Sequence, residues 1–339
     1  MNVALDVTLY ILSALAGLAV GSFLNVCIYR LPRGKFFSKS RSYCPKCGAQ
    51  IKAYDNIPLF SYIILRGKCR NCKERISPRY PFVEALTCAL WVGNYATFGL
   101  DGMTIVWDIA VAVLIVAAFV DLDTFEIPDS GIITLLVLGL ITFAPFGGVS
   151  WQDKLIGCVC VSVPMLIVCL FGGMGFGDVK LYFVLGLLLG WKKILIVFLL
   201  SVVLGAVVSV SYLIVCRRRE SRAEDSTDEN EENPTTENSA TEHATSENEN
   251  AENAMADKKV CTAETAAEES VSADLSVVAE QTSEDCGDTS SDCGAESSEK
   301  EEETRGHMIP FGPFIAIATA VTIYCGDAII AFYSNILGI

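Results

Sequence analysis

Stretches of about twenty mostly apolar residues recur along this 339-residue chain. A helix of that length is what crosses about 30 Å of hydrocarbon. Inside a bilayer every backbone N–H and C=O needs an internal partner, so such runs predict helices. Eight are expected, near 7–28, 81–98, 104–120, 131–146, 153–172, 179–190, 194–215 and 309–335. The sixth is short, about 12 residues or roughly 18 Å. Joining it to the seventh would give about 55 Å, too long for a bilayer even when tilted. Trp191, Lys192 and Lys193 instead mark an interfacial break. A composition that is 52% hydrophobic, with a mean hydropathy of +0.43, agrees with a membrane class. The first run lacks a basic leader and is as long as a span, so it is expected to be a retained helix and not a signal peptide.

Charge then orients the runs. The segment from Arg30 to Arg79 carries 13 Lys and Arg against Asp55 and Glu74. Cytoplasmic loops are enriched in such residues, which puts this loop inside and the N-terminus outside. Counting forward through eight spans, 121–130, 173–178 and the cluster Arg217-Arg218-Arg219 also fall inside. Lys192 and Lys193 fall outside, against that trend. The overall charge of −15 is unevenly spread. Residues 220–306 hold 27 acidic and 5 basic side chains, a net of −22. With few aromatics they cannot bury enough apolar surface to offset ordering entropy, and disorder is expected there. His243, Cys261, Cys286 and Cys293 are scattered through this acidic stretch and read as inert.

Of fourteen cysteines, Cys88, Cys158, Cys160 and Cys169 lie in apolar runs, where cysteine behaves as a small hydrophobe. Four others form two CxxC pairs, Cys44/Cys47 and Cys69/Cys72, with 21 residues between them. Two such pairs can close one tetrahedral site of four thiolates. A loop of about 50 residues has little apolar core, and a bound metal supplies the folding free energy that packing cannot. Structural zinc is the expected ligand. A redox dithiol pair, or free cysteines, are the other readings.

Two acidic segments remain. Asp121-Leu122-Asp123-Thr124-Phe125-Glu126-Ile127-Pro128-Asp129 lies where the third run reaches the cytoplasm. Gly173-Met174-Gly175-Phe176-Gly177-Asp178 lies where the sixth begins, on the same face. Carboxylates at span ends are costly to desolvate and are functional candidates. Two brought close cannot both ionise easily, so one can hold a proton while the other activates water. The glycines before Asp178 are expected to permit tight turns and close approach of a substrate strand. The structural alternative is helix capping or interfacial solvation, which suits Asp129 well and is open for Asp123 and Glu126.

Taken together these segments resemble the type IV prepilin peptidases, a family of GxGD membrane aspartyl proteases. The resemblance rests on Gly21-Ser22-Phe23-Leu24-Asn25-Val26 and Tyr29-Arg30-Leu31-Pro32, the two CxxC pairs, and Asp55-Asn56-Ile57-Pro58-Leu59. It continues through Ile76-Ser77-Pro78-Arg79-Tyr80-Pro81 with Glu84, Gly175 to Lys180, and Ile309-Pro310-Phe311-Gly312-Pro313-Phe314. It implies an enzyme of the bacterial cytoplasmic membrane that removes a basic leader from prepilin-like proteins, with Asp121 and Asp178 catalytic. It also implies methylation of the new N-terminus from S-adenosylmethionine. No glycine-rich fingerprint for that cofactor is visible, so its binding residues are not named. The acidic insert departs from the family pattern.

The expected architecture is an all-α polytopic membrane protein. It comprises a first transmembrane helix (1–28), a cytoplasmic zinc loop (29–80), a protease core (81–216), a disordered acidic insert (217–306) and a last helix (307–339). The expected partners are prepilin-like substrates and the lipid bilayer, with no nucleic acid. Two other classes compete. A transporter would relay ions through the aspartates, but would predict mid-span charges and internal repeats. A membrane-tethered zinc-ribbon binding module would leave the aspartate pair unexplained.

Overall fold

The computed structural model describes residues 3–34, 42–143, 149–171, 175–228 and 310–337. Its elements are α1 (Val3–Arg30), a 3-10 turn (Ala53–Asn56), α2 (Phe60–Ile64), α3 (Arg79–Phe98), α4 (Gly102–Thr124) and α5 (Asp129–Ile141). There follow α6 (Trp151–Leu170), α7 (Phe176–Leu189), α8 (Trp191–Asp228) and α9 (Gly312–Leu337). No strand occurs among the described residues; two isolated bridges, Tyr43 to Gln50 and Lys68 to Arg75, are the only β pairing there.

A helix therefore stands at each place where the apolar runs predict one. Five of them are long and apolar enough to cross a membrane: α1, α4, α6, α8 as far as Val215, and α9 as far as Ile336. The others fall short for identifiable reasons. The 13 residues of α5 and the 14 of α7 rise only about 20 Å each. The polar first turns of α3 and its buried Glu84, Thr87 and Asn94 lower its hydropathy. The chain does break between α7 and α8. Gly190 sits there at φ +79, a left-handed conformation open to glycine at no steric cost.

The chain divides into two compact units, one of residues 1–207 with 310–339, the other of residues 208–309. In the first, α4 is the central helix. More than half of its apolar window (56%) is buried, against 28% for α1 and 22% for α8. α1, α3, α5 and α9 all pack on α4, and α5 and α6 pack on α7. The core joins Leu24, Val83, Ala110, Val111, Leu114, Leu135, Leu181, Leu185, Ile194 and Ile315. In the second unit the described residues are the rest of α8, which runs on to Asp228. Residues 217–228, expected to begin the disordered insert, are thus helical. Arg, Glu and Ala are good helix formers, and extending an existing helix avoids the cost of nucleation. The remainder of the expected acidic insert, 229–306, lies outside the described residues.

Between apolar helices in lipid, association depends on close packing, and small residues allow it. A Cβ on Gly157 of α6 would lie 2.6 Å from the Gly186 carbonyl oxygen of α7. On α1, a Cβ at Gly17 or Gly21 would lie 2.8 Å from the Cα of Cys88 or Glu84 of α3. The rows of small residues set how near these backbones approach. Replacing Gly186 with Val should force α6 and α7 apart at a cost of about 1–3 kcal/mol. Thermal unfolding of the detergent-solubilised variant is expected to begin several degrees below wild type; an unchanged midpoint would contradict the close contact.

Candidate active site and thiolate centre

Asp121 occupies the last turn of α4. The helix stops because Phe125 takes the left-handed conformation (φ +56), and its N–H bonds back to the Asp121 carbonyl at 2.9 Å. Asp178 sits in the first turn of α7, its N–H bonded to the Gly175 carbonyl at 3.2 Å. Both side chains are nearly out of contact with solvent, 5% and 8% exposed. They lie within electrostatic reach of each other. The Asp121 carboxylate accepts a 2.8 Å hydrogen bond from the Gly312 N–H at the start of α9. A helix N-terminus presents unsatisfied N–H groups and a positive dipole end, which suits an acidic side chain. A Cβ on Gly312 would fall 2.7 Å from the carboxylate oxygen, so only glycine allows this approach without displacement.

Neighbouring charges hold the same helix ends in place. Arg79, which opens α3, pairs with Asp123 at 2.8 Å, donates to the Phe119 carbonyl at 3.0 Å and stacks over the Phe119 ring. Lys180 in the first turn of α7 pairs with Asp129 at 2.8 Å. Asp129 is therefore not the cap of α5. Pro128 holds that position without a side-chain bond, and Asp129 points to Lys180 from the first turn. Neither Gly175 (φ −69) nor Gly177 uses a left-handed backbone. Their contribution is space. A Cβ on Gly177 would touch Ile127 at 3.3 Å, and one on Gly175 would touch the Asp178 carboxylate at 3.6 Å. Gly173 and Met174 lie outside the described residues. Two buried carboxyls within electrostatic reach make a pair in which one can accept a proton from a water while the other donates to a leaving group.

The four predicted thiols also come together. The sulfurs of Cys44, Cys47, Cys69 and Cys72 all lie within 4.8 Å of one another, with Cys44 and Cys72 3.9 Å apart. A tetrahedron with metal–sulfur bonds of about 2.3 Å has edges of about 3.8 Å, so the cluster could hold a metal such as zinc. Each pair folds into the same knuckle, offset by 25 residues. The Cys44 N–H bonds to the Ala49 carbonyl at 2.9 Å, and the Cys69 N–H to the Glu74 carbonyl at 2.8 Å. The left-handed turn falls at Gly48 in the first and at Lys73 in the second. The Ala49 N–H and the Asn71 amide draw the Cys47 thiol down to about 6. The N–H groups of Cys72 and Asn71 lower Cys69. At Cys72 the Glu74 N–H favours the thiolate, but desolvation and three neighbouring sulfurs push it up to about 11. Asp55 takes a bidentate grip on Arg70, held below the usual carboxylate range by that bond, and so ties the link to the second knuckle.

The sequence reading did not find the Gly312 amide. Its partner is 191 residues away, and no periodicity relates the two. Arg79 bridging to Asp123 was equally invisible.

The fold and the two centres define an apolar helical protein with a buried carboxylate pair at helix ends and a four-thiolate module between its first two long helices. Residues 15–98, which contain all four thiols, match the bacterial peptidase A24 N-terminal domain. Residues 109–210, which contain both aspartates, match the type IV leader peptidase family. The prepilin leader peptidase/N-methyltransferase of Neisseria gonorrhoeae is 38% identical over 230 residues, covering 59% of this chain and 80% of that protein. That of Legionella pneumophila is 35% identical over 236 residues (60% and 82%), and that of Stutzerimonas stutzeri 39% over 232 residues (58% and 79%). No solved structure matches the chain. The chain belongs to the type IV leader peptidase family. Membership sets aside the transporter and the tethered zinc-ribbon readings.

Metal analysis of the purified chain is expected to give one zinc per molecule, and Cys44→Ser or Cys69→Ser to lose most of it. Wild-type protein prepared without chelator and carrying no zinc would refute the assignment.

Proposed function

We propose that this chain cleaves the leader peptide of prepilin-like proteins at the cytoplasmic face of a bacterial inner membrane, with Asp121 and Asp178 as the catalytic pair. The observation that carries this reading is the convergence of two buried carboxyls at the ends of α4 and α7, in a chain of the leader peptidase family. One carboxylate takes a proton from a bound water, whose oxygen attacks the carbonyl carbon of the scissile peptide. The other carboxyl gives its proton to the departing amine nitrogen as the C–N bond breaks. Burial removes competing water and strengthens both proton transfers. The Gly312 N–H holds Asp121 in register throughout.

Eight spans with the N-terminus outside accommodate the basic segment 30–79 and Arg217 to Arg219 on the cytoplasmic side. The short helices α5 and α7 complete that count, α5 packed on α4 and α7, and α7 on α5 and α6. Cys44, Cys47, Cys69 and Cys72 hold one structural zinc. Four protein ligands leave it no open position for substrate, so its contribution is the fold of the loop. N-methylation of the new N-terminus is the second activity, since the relatives are named for it as well. The methyl group would come from S-adenosylmethionine. The described residues contain no sheet and no nucleotide-cradling glycine loop, so none is assigned to that group.

Asp121→Asn and Asp178→Asn, correctly inserted, should each lower prepilin cleavage in membranes by roughly 10²- to 10⁴-fold. Normal cleavage by either would end the assignment. Gly312→Ala should insert normally, because the three atoms nearest its Cβ all belong to the Asp121 side chain, yet cleave roughly ten- to a hundredfold more slowly through a displaced carboxylate. Wild-type rates in that variant would show that the α9 amide does not position Asp121.

A further inference from the structure

The loop between α1 and α3 has an apolar face that the thiolate centre does not use. In the segment 57–64, Ile57, Phe60, Ile63 and Ile64 are 49%, 58%, 69% and 74% exposed, while Ser61 is buried. Three of the four, Phe60, Ile63 and Ile64, lie on α2, where helical spacing sets them within an arc of about 100°. Ser61 bonds back to the Ile57 carbonyl, and the Leu65 N–H to the Ser61 carbonyl, so the face is held rigid by its own backbone. No described residue covers it.

The depth of this face follows from two hydrogen bonds. Asn25 of α1 donates to the Tyr80 carbonyl of α3 at 3.1 Å, which sets the last turns of α1 beside the first turn of α3. The Leu59 N–H donates to the Glu84 carboxylate at 2.8 Å. Glu84 lies five residues, or about 7.5 Å, beyond Arg79 along α3, on the membrane side of that helix's basic end. Leu59 is held there in a left-handed conformation (φ +58) that a leucine rarely adopts, so the tether works against local preference. The same loop carries Lys52, Arg66, Lys68 and Arg70, all exposed, and Tyr54 lies beneath Lys52 and Arg70 at 5.7 and 5.5 Å. Exposed apolar side chains tied to α3 by Glu84, in a loop with exposed cations and a tyrosine, have the composition of a segment lying in a membrane interface.

We propose that residues 57–64 form a monotopic anchor. Their apolar face inserts among the acyl chains just below the headgroups, with the loop's lysines and arginines against lipid phosphates. Glu84 is the tether that fixes the depth of insertion. The anchor presses the four-thiolate module onto the bilayer surface beside α1 and α3. This inference rests on the membrane reading of the long helices, not on either enzymatic activity.

The test is photocrosslinking of the full-length protein in nanodiscs of phosphatidylethanolamine and phosphatidylglycerol. Benzoylphenylalanine is placed at Ile64, at Lys46 on the tip of the first knuckle, and at Ile105, which faces outward from α4. Intact-mass analysis should show a phospholipid adduct at positions 64 and 105 and none at 46, with zinc content equal in all three. Adduct at 105 without adduct at 64 would overturn the anchor while leaving the membrane helices intact. So would a position-64 probe that reacts with added prepilin and not with lipid, which would make the face a substrate dock. Absence of lipid adduct at both 105 and 64 would overturn the membrane reading and the anchor together. A second variant, Glu84→Gln, keeps the shape of the tether but weakens its bond to Leu59. Its lipid adduct at position 64 should fall severalfold at unchanged zinc content; an adduct equal to wild type would remove Glu84 from the role.

Discussion

A buried carboxylate at the end of the central helix needs a partner, and Asp121 finds it in a backbone amide of α9. Much of the arrangement follows from meeting that requirement. The N-terminus of α9 must reach the last turn of α4, and Gly312 must lack a side chain for the two to meet. Once α9 is seated, Ile315 and Ala318 complete the core, and the Tyr324 hydroxyl reaches the Leu90 carbonyl of α3. Lys193 at the start of α8 pairs with Asp327 farther along α9. A last helix that follows a long intervening segment in sequence is thereby tied into the earlier bundle.

The second buried carboxyl is held by different means. Asp178 belongs to a short helix enclosed on several sides, with Leu181, Tyr182, Val184 and Leu185 all buried and the Tyr182 hydroxyl bonded to Ser201 of α8. Backbone contact between Gly186 and Gly157 sets its distance from α6. The Lys180–Asp129 pair orients its exposed end against α5. An exposed ion pair of this kind adds little stability, but it chooses one rotation among several that the apolar faces would accept. The acidic dyad is thus held by packing on one side and by a helix-end amide on the other.

The cysteine module repeats one turn twice, 25 residues apart. Paired N–H bonds to sulfur and opposed knuckles assemble four thiols with almost no apolar core. The second left-handed turn falls at Lys73, where the first has glycine, and the local backbone strain is of the kind a bound metal would offset. Asp55 and Arg70 link one part of the module to the other, and Glu84 links the module to α3.

Much of this was legible in one dimension because it obeys short-range rules. Apolar length placed each long helix, and Trp191, Lys192 and Lys193 placed the break between α7 and α8. CxxC spacing named all four thiols, since two residues between cysteines is a knuckle wherever it occurs. The two aspartates stood out because an acid bordering an apolar run is costly. Helix ends were less legible: α8 continues to Asp228, because nothing in Arg, Glu and Ala stops a helix already begun. The sequence alone determined which segments are helices, which cysteines pair into knuckles, and which acids lie at helix ends. Only the tertiary structure decided that Gly312 holds Asp121, that Arg79 takes Asp123, and that Leu59 hangs from Glu84. These bonds join residues 191, 44 and 25 positions apart. Their geometry depends on how whole helices pack, which no local pattern of residues encodes.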